Sequence, residues 1–213
     1  MIQIAPSMLA ADFLHLEKDV QMVNEYADLF HLDIMDGVFV PNLSYGFPVV
    51  EAIAKIAKKP LDTHLMIVEP EKYVERFVKA GSAMVSFHLN ATKDPDAVLA
   101  MIRDLGAKAG LVINPDLPVE SLFPHLKNCD YVLLMSVFAG FGGQKFIEDT
   151  YDRVSRLKTE IERQGLSVPI EVDGGVSASN AARLIECGAE ILVAGSAVFN
   201  AEDPSTVISA MRG

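Results

Sequence analysis

Residues 31–35 read His-Leu-Asp-Ile-Met. Side chains on a strand alternate between faces, so His31, Asp33 and Met35 share one face while Phe30, Leu32 and Ile34 share the other. The same division recurs downstream. His64 and Met66 share a face of "DTHLMI", with Leu65 and Ile67 opposite; Glu171 and Asp173 share a face of "IEVDGG", with Val172 opposite. Two imidazoles and two carboxylates, from His31, Asp33, His64 and Asp173, make a donor set suited to Zn²⁺, Fe²⁺ or Mn²⁺. A lone strand histidine is most simply a hydrogen-bonded core residue, and an unpaired buried carboxylate is costly. Four such residues at equivalent depths on different strands point instead to a metal or catalytic cluster. Met35, Met66 and Met135 stand beside the polar set and read as an apolar collar. His88 ends a further apolar run, while His15 and His125 fall in helical or loop segments and read as surface.

Glycines form a second constellation. "GFGG" (Gly140 to Gly143), "DGG" (Gly174, Gly175) and "AGS" (Gly195, Ser196) each follow an apolar run. Glycine lets a ligand approach the backbone closely, and backbone N–H groups hold phosphate without Lys or Arg. Three such loops in succession favour a phosphate cradle over isolated turns.

What must position these residues is legible as a pattern. Eight β-like runs, from "QIAPSML" to "EILVAGS", alternate with segments such as "PDAVLAMIRDLG" and "SASNAARLIECG" whose apolar residues recur at helical spacing. Several of those segments end in a C-capping glycine. Strand–helix alternation implies βαβ units and a parallel sheet. Eight units predict a closed (β/α)₈ TIM barrel with an outer ring of helices, whose site lies at the C-terminal ends of the strands. A doubly wound sheet would carry a glycine-rich loop after its first strand; here "SMLAADF" follows. With no linker and no low-complexity tract, residues 1–213 read as one domain.

Composition narrows the function. Half of the residues are hydrophobic and the formal net charge is −11, which speaks against a nucleic-acid partner but not against a phosphorylated small molecule. Cys129 and Cys187 lie in no metal-binding spacing and read as reduced thiols of a cytoplasmic protein. The N-terminal residues carry no signal-peptide pattern, and no stretch approaches the roughly 18 apolar residues of a membrane span.

The stretches "SMLAADF", "HLDIMDGVFVPNLSYG", "DTHLMI", "GFGGQKFI", "VDGGV" and "AGSAVF", in order from Ser7 to Phe199, resemble the ribulose-phosphate 3-epimerase family. The resemblance implies an isomerase that inverts C3 of a ketose phosphate, D-ribulose 5-phosphate to D-xylulose 5-phosphate in the pentose phosphate pathway. It implies one divalent metal per chain, Zn²⁺, Fe²⁺, Mn²⁺ or Co²⁺, held by His31, Asp33, His64 and Asp173, with Asp33 and Asp173 as the acid/base pair. It implies substrate contacts from Ser7, His64 and the collar of Met35, Met66 and Met135, and a phosphate cradle of Gly142, Gly143, Gly174, Gly175, Gly195 and Ser196. A homo-oligomer, dimer or hexamer, is also implied. Two positions depart from the family pattern: Phe138-Ala139 replaces Asn-Pro before "GFGGQ", and Asn90 replaces a Glu after His88. They leave open a six-carbon ketose phosphate such as D-allulose 6-phosphate, or a barrel that binds a sugar phosphate without turnover. The decarboxylase and aldolase branch is disfavoured, because its third strand carries D-x-K-x-x-D and here reads Asp62-Thr63-His64-Leu65-Met66.

Overall fold

The computed structural model describes residues 1–213. Its strands are β1 (Gln3–Pro6), β2 (Phe30–Met35), β3 (Leu61–Met66), β4 (Ser82–His88), β5 (Lys108–Ile113), β6 (Tyr131–Met135), β7 (Ile170–Asp173) and β8 (Ile191–Ala194). All pair in parallel, in the order β1-β8-β7-β6-β5-β4-β3-β2. Between β1 and β2 the ring is completed by a parallel bridge, Ser7 to His31, and by the Asp28 and Leu29 N–H groups donating to the Ile4 carbonyl at 3.0 and 3.3 Å. The expected (β/α)₈ barrel is the fold. No helix is long and apolar enough to cross a membrane.

The helices are α1 (Leu16–Tyr26), α2 (Phe47–Ala54), α3 (Val74–Lys79), α4 (Pro95–Asp104), α5 (Thr150–Arg163), α6 (Ala178–Cys187), α7 (Ser196–Phe199) and α8 (Pro204–Met211). Their boundaries follow local chemistry. At α4 the Asp94 carboxylate accepts from the Ala97 N–H and Pro95 opens the first turn. Ser177 and Asn180 form a capping box at the start of α6, and Gly188 closes it at φ 113°. The one interruption of the alternation lies between β5 and β6. There two 3₁₀ turns, Val119–Leu122 and Leu126–Asn128, replace a helix. Pro115, Pro118 and Pro124 divide that segment into pieces too short for one.

Apolar residues pack in two shells. The larger, 46 buried residues, fills the space between the outer face of the sheet and the helices, and includes Leu32, Ile34, Leu65 and Val172. Burying each such aliphatic side chain contributes about 1.5–3 kcal/mol. A smaller cluster of Ala5, Leu29, Met84, Tyr131, Ile191 and Val193 plugs the barrel from within. Gly110 of β5 faces that plug. A Cβ there would sit 2.4 Å from Tyr131 Cζ, so the ring occupies the space that a side chain would need.

Register then stacks the polar residues. His31 pairs with Asp62, Asp33 with His64, and Met35 with Met66, one layer above another toward the mouth; Met135 pairs with Asp173. In-register pairing of parallel strands converts a period-two pattern in sequence into shared depth in space.

Candidate active site

His31, Asp33, His64 and Asp173 converge at the C-terminal mouth, each presenting a ligand-competent atom within 4.8 Å of the others. His31 Nε2 lies 3.5 Å from Asp33 Oδ1 and 3.9 Å from Asp173 Oδ2; His64 Nδ1 lies 3.2 Å from Asp33 Oδ1. His31 and His64 are wholly buried, while Asp173 keeps 16% of its side chain open. His31 Nε2 has no hydrogen-bond partner although it is buried. An unpartnered imidazole nitrogen facing two carboxylates, with a second imidazole alongside, fits a divalent ion that takes nitrogen and oxygen donors.

The two aspartates are held differently. Asp33 accepts from Ser7 Oγ at 2.6 Å and lies against both histidines. Burial opposes its charge, but His31 and His64 outweigh burial and keep its carboxyl well below the usual range. Asp173 lacks such donors. Burial and the neighbouring Asp33 carboxylate push it up to about 6. For His31, burial disfavours the cation, but the Asp33 and Asp62 carboxylates prevail and raise its pKa well above the usual value.

Above the cluster opens a cavity of about 310 Å³, lined by Ser7, Asp33, Met35, Met66, Met135 and Asp173 on one side and by Gly142, Gly143, Gly174, Gly175, Gly195 and Ser196 on the other. Every residue expected from sequence to line the site does so except His31 and His64, which lie beneath its floor. No Lys or Arg lines it. Gly174 and Gly175 adopt φ 118° and 62°, and a Cβ on either would meet Val137 at 2.4 Å or the Phe146 nitrogen at 2.7 Å, so backbone alone faces the cavity there.

The two departures fall in different places. Phe138 is half-exposed and lines the cavity with Ala139. The Ala139 N–H donates to Asn114 Oδ1 at 3.1 Å, a bond that a proline at this position has no hydrogen to make. Asn90 is exposed and outside the cavity lining.

Beneath the cluster lies a layer that the sequence reading left unassigned. Asp62 accepts from His31 Nδ1 at 2.7 Å and from the Tyr131 hydroxyl at 2.8 Å. Glu171 Oε1 lies 3.4 Å from the same His31 nitrogen. Beside the cluster and not beneath it, His88, two residues beyond the Ser86 that pairs with His64, sets its Nε2 2.9 Å from His64 Nε2. Asp62 sits two residues before His64 on the same strand face, so the period-two argument that selected His64 reaches it too. Tyr131 carried no signal, because its partner lies on a strand 69 residues away.

Fold and site together define a (β/α)₈-barrel enzyme with a carboxylate pair and a metal-competent cluster at its mouth. Residues 3–199 match the model of the ribulose-phosphate 3 epimerase family. The chain is 47% identical over 214 residues to the ribulose-phosphate 3-epimerase of Synechocystis sp., covering 99% of this chain and 93% of that one. It is 43% identical to that of Bacillus subtilis, covering 100% and 99%, and 45% identical to the chloroplastic ribulose-5-phosphate-3-epimerase of Arabidopsis thaliana, covering 99% and 76%. Among solved structures, a tryptophan synthase α-subunit from Pyrococcus furiosus superposes with TM-score 0.73 at 16% identity over 99% of this chain and 96% of that one. A 3-hexulose-6-phosphate synthase superposes with TM-score 0.72 at 17% identity over 99% and 98%; these two bear on the fold alone. The chain belongs to the ribulose-phosphate 3-epimerase family, and so to the isomerases.

Proposed function

We propose that residues 1–213 act as one catalytic barrel that inverts C3 of D-ribulose 5-phosphate to give D-xylulose 5-phosphate, using Asp33 and Asp173 as the proton carriers. The observation that carries this reading is the placement of two carboxylates from β2 and β7 at the floor of a cavity whose opposite wall is glycine backbone. The proton at C3 lies α to a ketone, so its removal leaves an enediolate. Epimerisation takes a proton from one face and returns one to the other, which two carboxylates accomplish without turning the intermediate over. Asp33, held ionised, suits proton removal; Asp173, with its raised pKa, suits delivery, and the roles exchange in the reverse direction. The pair titrates as a unit.

His31, Asp33, His64 and Asp173 would hold one divalent ion, Zn²⁺, Fe²⁺, Mn²⁺ or Co²⁺, which when bound supplies Lewis-acid stabilisation to the developing oxyanion. Ser7 orients Asp33. Met35, Met66 and Met135 exclude water from the reacting carbon. The N–H groups around Gly142, Gly143, Gly174, Gly175, Gly195 and Ser196 hold the phosphate, consistent with a lining that has no cationic side chain. The acidic net charge favours no nucleic-acid partner, and we place the enzyme in the cytoplasm as a homo-oligomer, a dimer or hexamer.

Turnover in deuterated water tests the proton route: label is expected at C3, and its exclusion from C3 would overturn the reading. D-Ribulose 5-phosphate and D-allulose 6-phosphate are to be assayed side by side. A higher kcat/KM for the pentose is expected. Preference for the hexose would assign the Phe138-Ala139 loop to a six-carbon substrate, and turnover of neither would leave a binding barrel.

A further inference from the structure

We infer that Asp62, beneath the cluster, is a positioning residue that accepts the hydrogen bond of the His31 Nδ1–H and so leaves Nε2, facing Asp33 and Asp173, as the nitrogen that would bind the ion. The inference rests on the metal reading of the site and deepens it. His31 has two ring nitrogens, and a neutral imidazole offers a lone pair on only one. Which one is settled by what the other faces. His31 Nδ1 faces the Asp62 carboxylate at 2.7 Å, and an ionised carboxylate can only accept. Nε2, by contrast, is buried and unpartnered.

Asp62 is itself held in place. Tyr131 donates to its Oδ1 at 2.8 Å while His31 occupies its Oδ2, so each oxygen has a donor and the carboxylate cannot swing away. Glu171 is the competing acceptor, but its Oε1 stands 3.4 Å from Nδ1, beyond a good hydrogen bond. Asp62, Tyr131 and Glu171 are fully buried, and none lines the cavity. Asp62 therefore acts through His31 and not on substrate. A carboxylate behind a ligating imidazole also increases the basicity of the nitrogen in front.

The test compares wild type, Asp62→Asn and Asp62→Leu. Zn²⁺ affinity is measured by chelator competition, and the His31 ring by ¹H–¹⁵N NMR with and without Zn²⁺. Wild type is expected to show a slowly exchanging Nδ1 proton in both states. Asp62→Leu is expected to lose that resonance and to bind Zn²⁺ about 10–100-fold more weakly. Asp62→Asn keeps an acceptor but no charge, so it is expected to keep the resonance and fall between the two in affinity. A folded Asp62→Leu chain with wild-type Zn²⁺ affinity and an unchanged Nδ1 resonance would overturn the inference. If that variant does not fold, wild-type affinity in Asp62→Asn does the same. A wild type that takes up no Zn²⁺ sinks the metal reading instead, and the metal-free Nδ1 resonance then judges Asp62 by itself.

Discussion

Asp33 and Asp173 are the same residue type about one ligand's width apart, yet they carry different charge tendencies. The difference is a matter of neighbours: Asp33 has a hydroxyl and two imidazoles, whereas Asp173 has burial and a like charge. Asp173→Asn removes a proton carrier while keeping shape. Epimerisation is expected to fall by about 10²–10⁴-fold with the circular dichroism spectrum unchanged. The same variant tests the raised pKa. In the metal-free folded chain Asp173 titrates near 6, against 3.8 for the free side chain. Between those values the folded state holds a proton that the unfolded state has released, so stability drops as pH rises through this window. From about pH 4 to about pH 7 the urea midpoint of metal-free wild type is expected to fall relative to that of Asp173→Asn. A constant difference between the two proteins would contradict the shift.

At the scale of elements, strands set depth and glycines set clearance. β5 carries Gly110 because Tyr131 of β6 lies across it, and Tyr131 in turn holds Asp62. Gly110→Ala forces the ring to move. We expect a loss of about 1–3 kcal/mol by urea unfolding, together with weaker Zn²⁺ uptake as the Tyr131 hydroxyl leaves Asp62. The loop after β6 is anchored through Asn114 at the end of β5, whose side chain accepts from Ala139. Asn114→Ala is expected to raise KM for the sugar phosphate several-fold with little change in kcat, since the chemistry sits at the other wall. An unaltered KM would show that this anchor does not shape the bound state.

For the whole molecule, the ion and the fold are linked. A ligand that binds only the folded chain stabilises it by about 2.7 kcal/mol at a hundred times its Kd. For a barrel of this size, saturation with Zn²⁺ is therefore expected to raise Tm by about 5–10 °C, and a chelator to reverse the rise. Replacing His31 and His64 together by Gln should abolish the shift. Light scattering reports the oligomer directly, and a monomer mass would set the dimer and hexamer aside.

The architecture and the four-residue cluster were both legible from sequence, because each is written in a local period. Alternation with period two assigned His31, Asp33, His64, Glu171 and Asp173 to inward faces, and strand–helix alternation placed those faces inside a barrel. What the chain could not state locally was which residues meet across strands. Register put Asp62 behind His31; His88, two residues beyond the Ser86 that pairs with His64, reached the His64 ring through its side chain; barrel closure brought Tyr131 over from β6; the β5–β6 connection lost its helix to prolines that the eight-fold pattern does not weigh. Residue types and spacing determined which groups could do chemistry. The tertiary structure decided which nitrogen of His31 faces the carboxylate pair and which aspartate holds its proton more tightly, because orientation and pKa depend on neighbours far apart in sequence and only a few ångströms away in space.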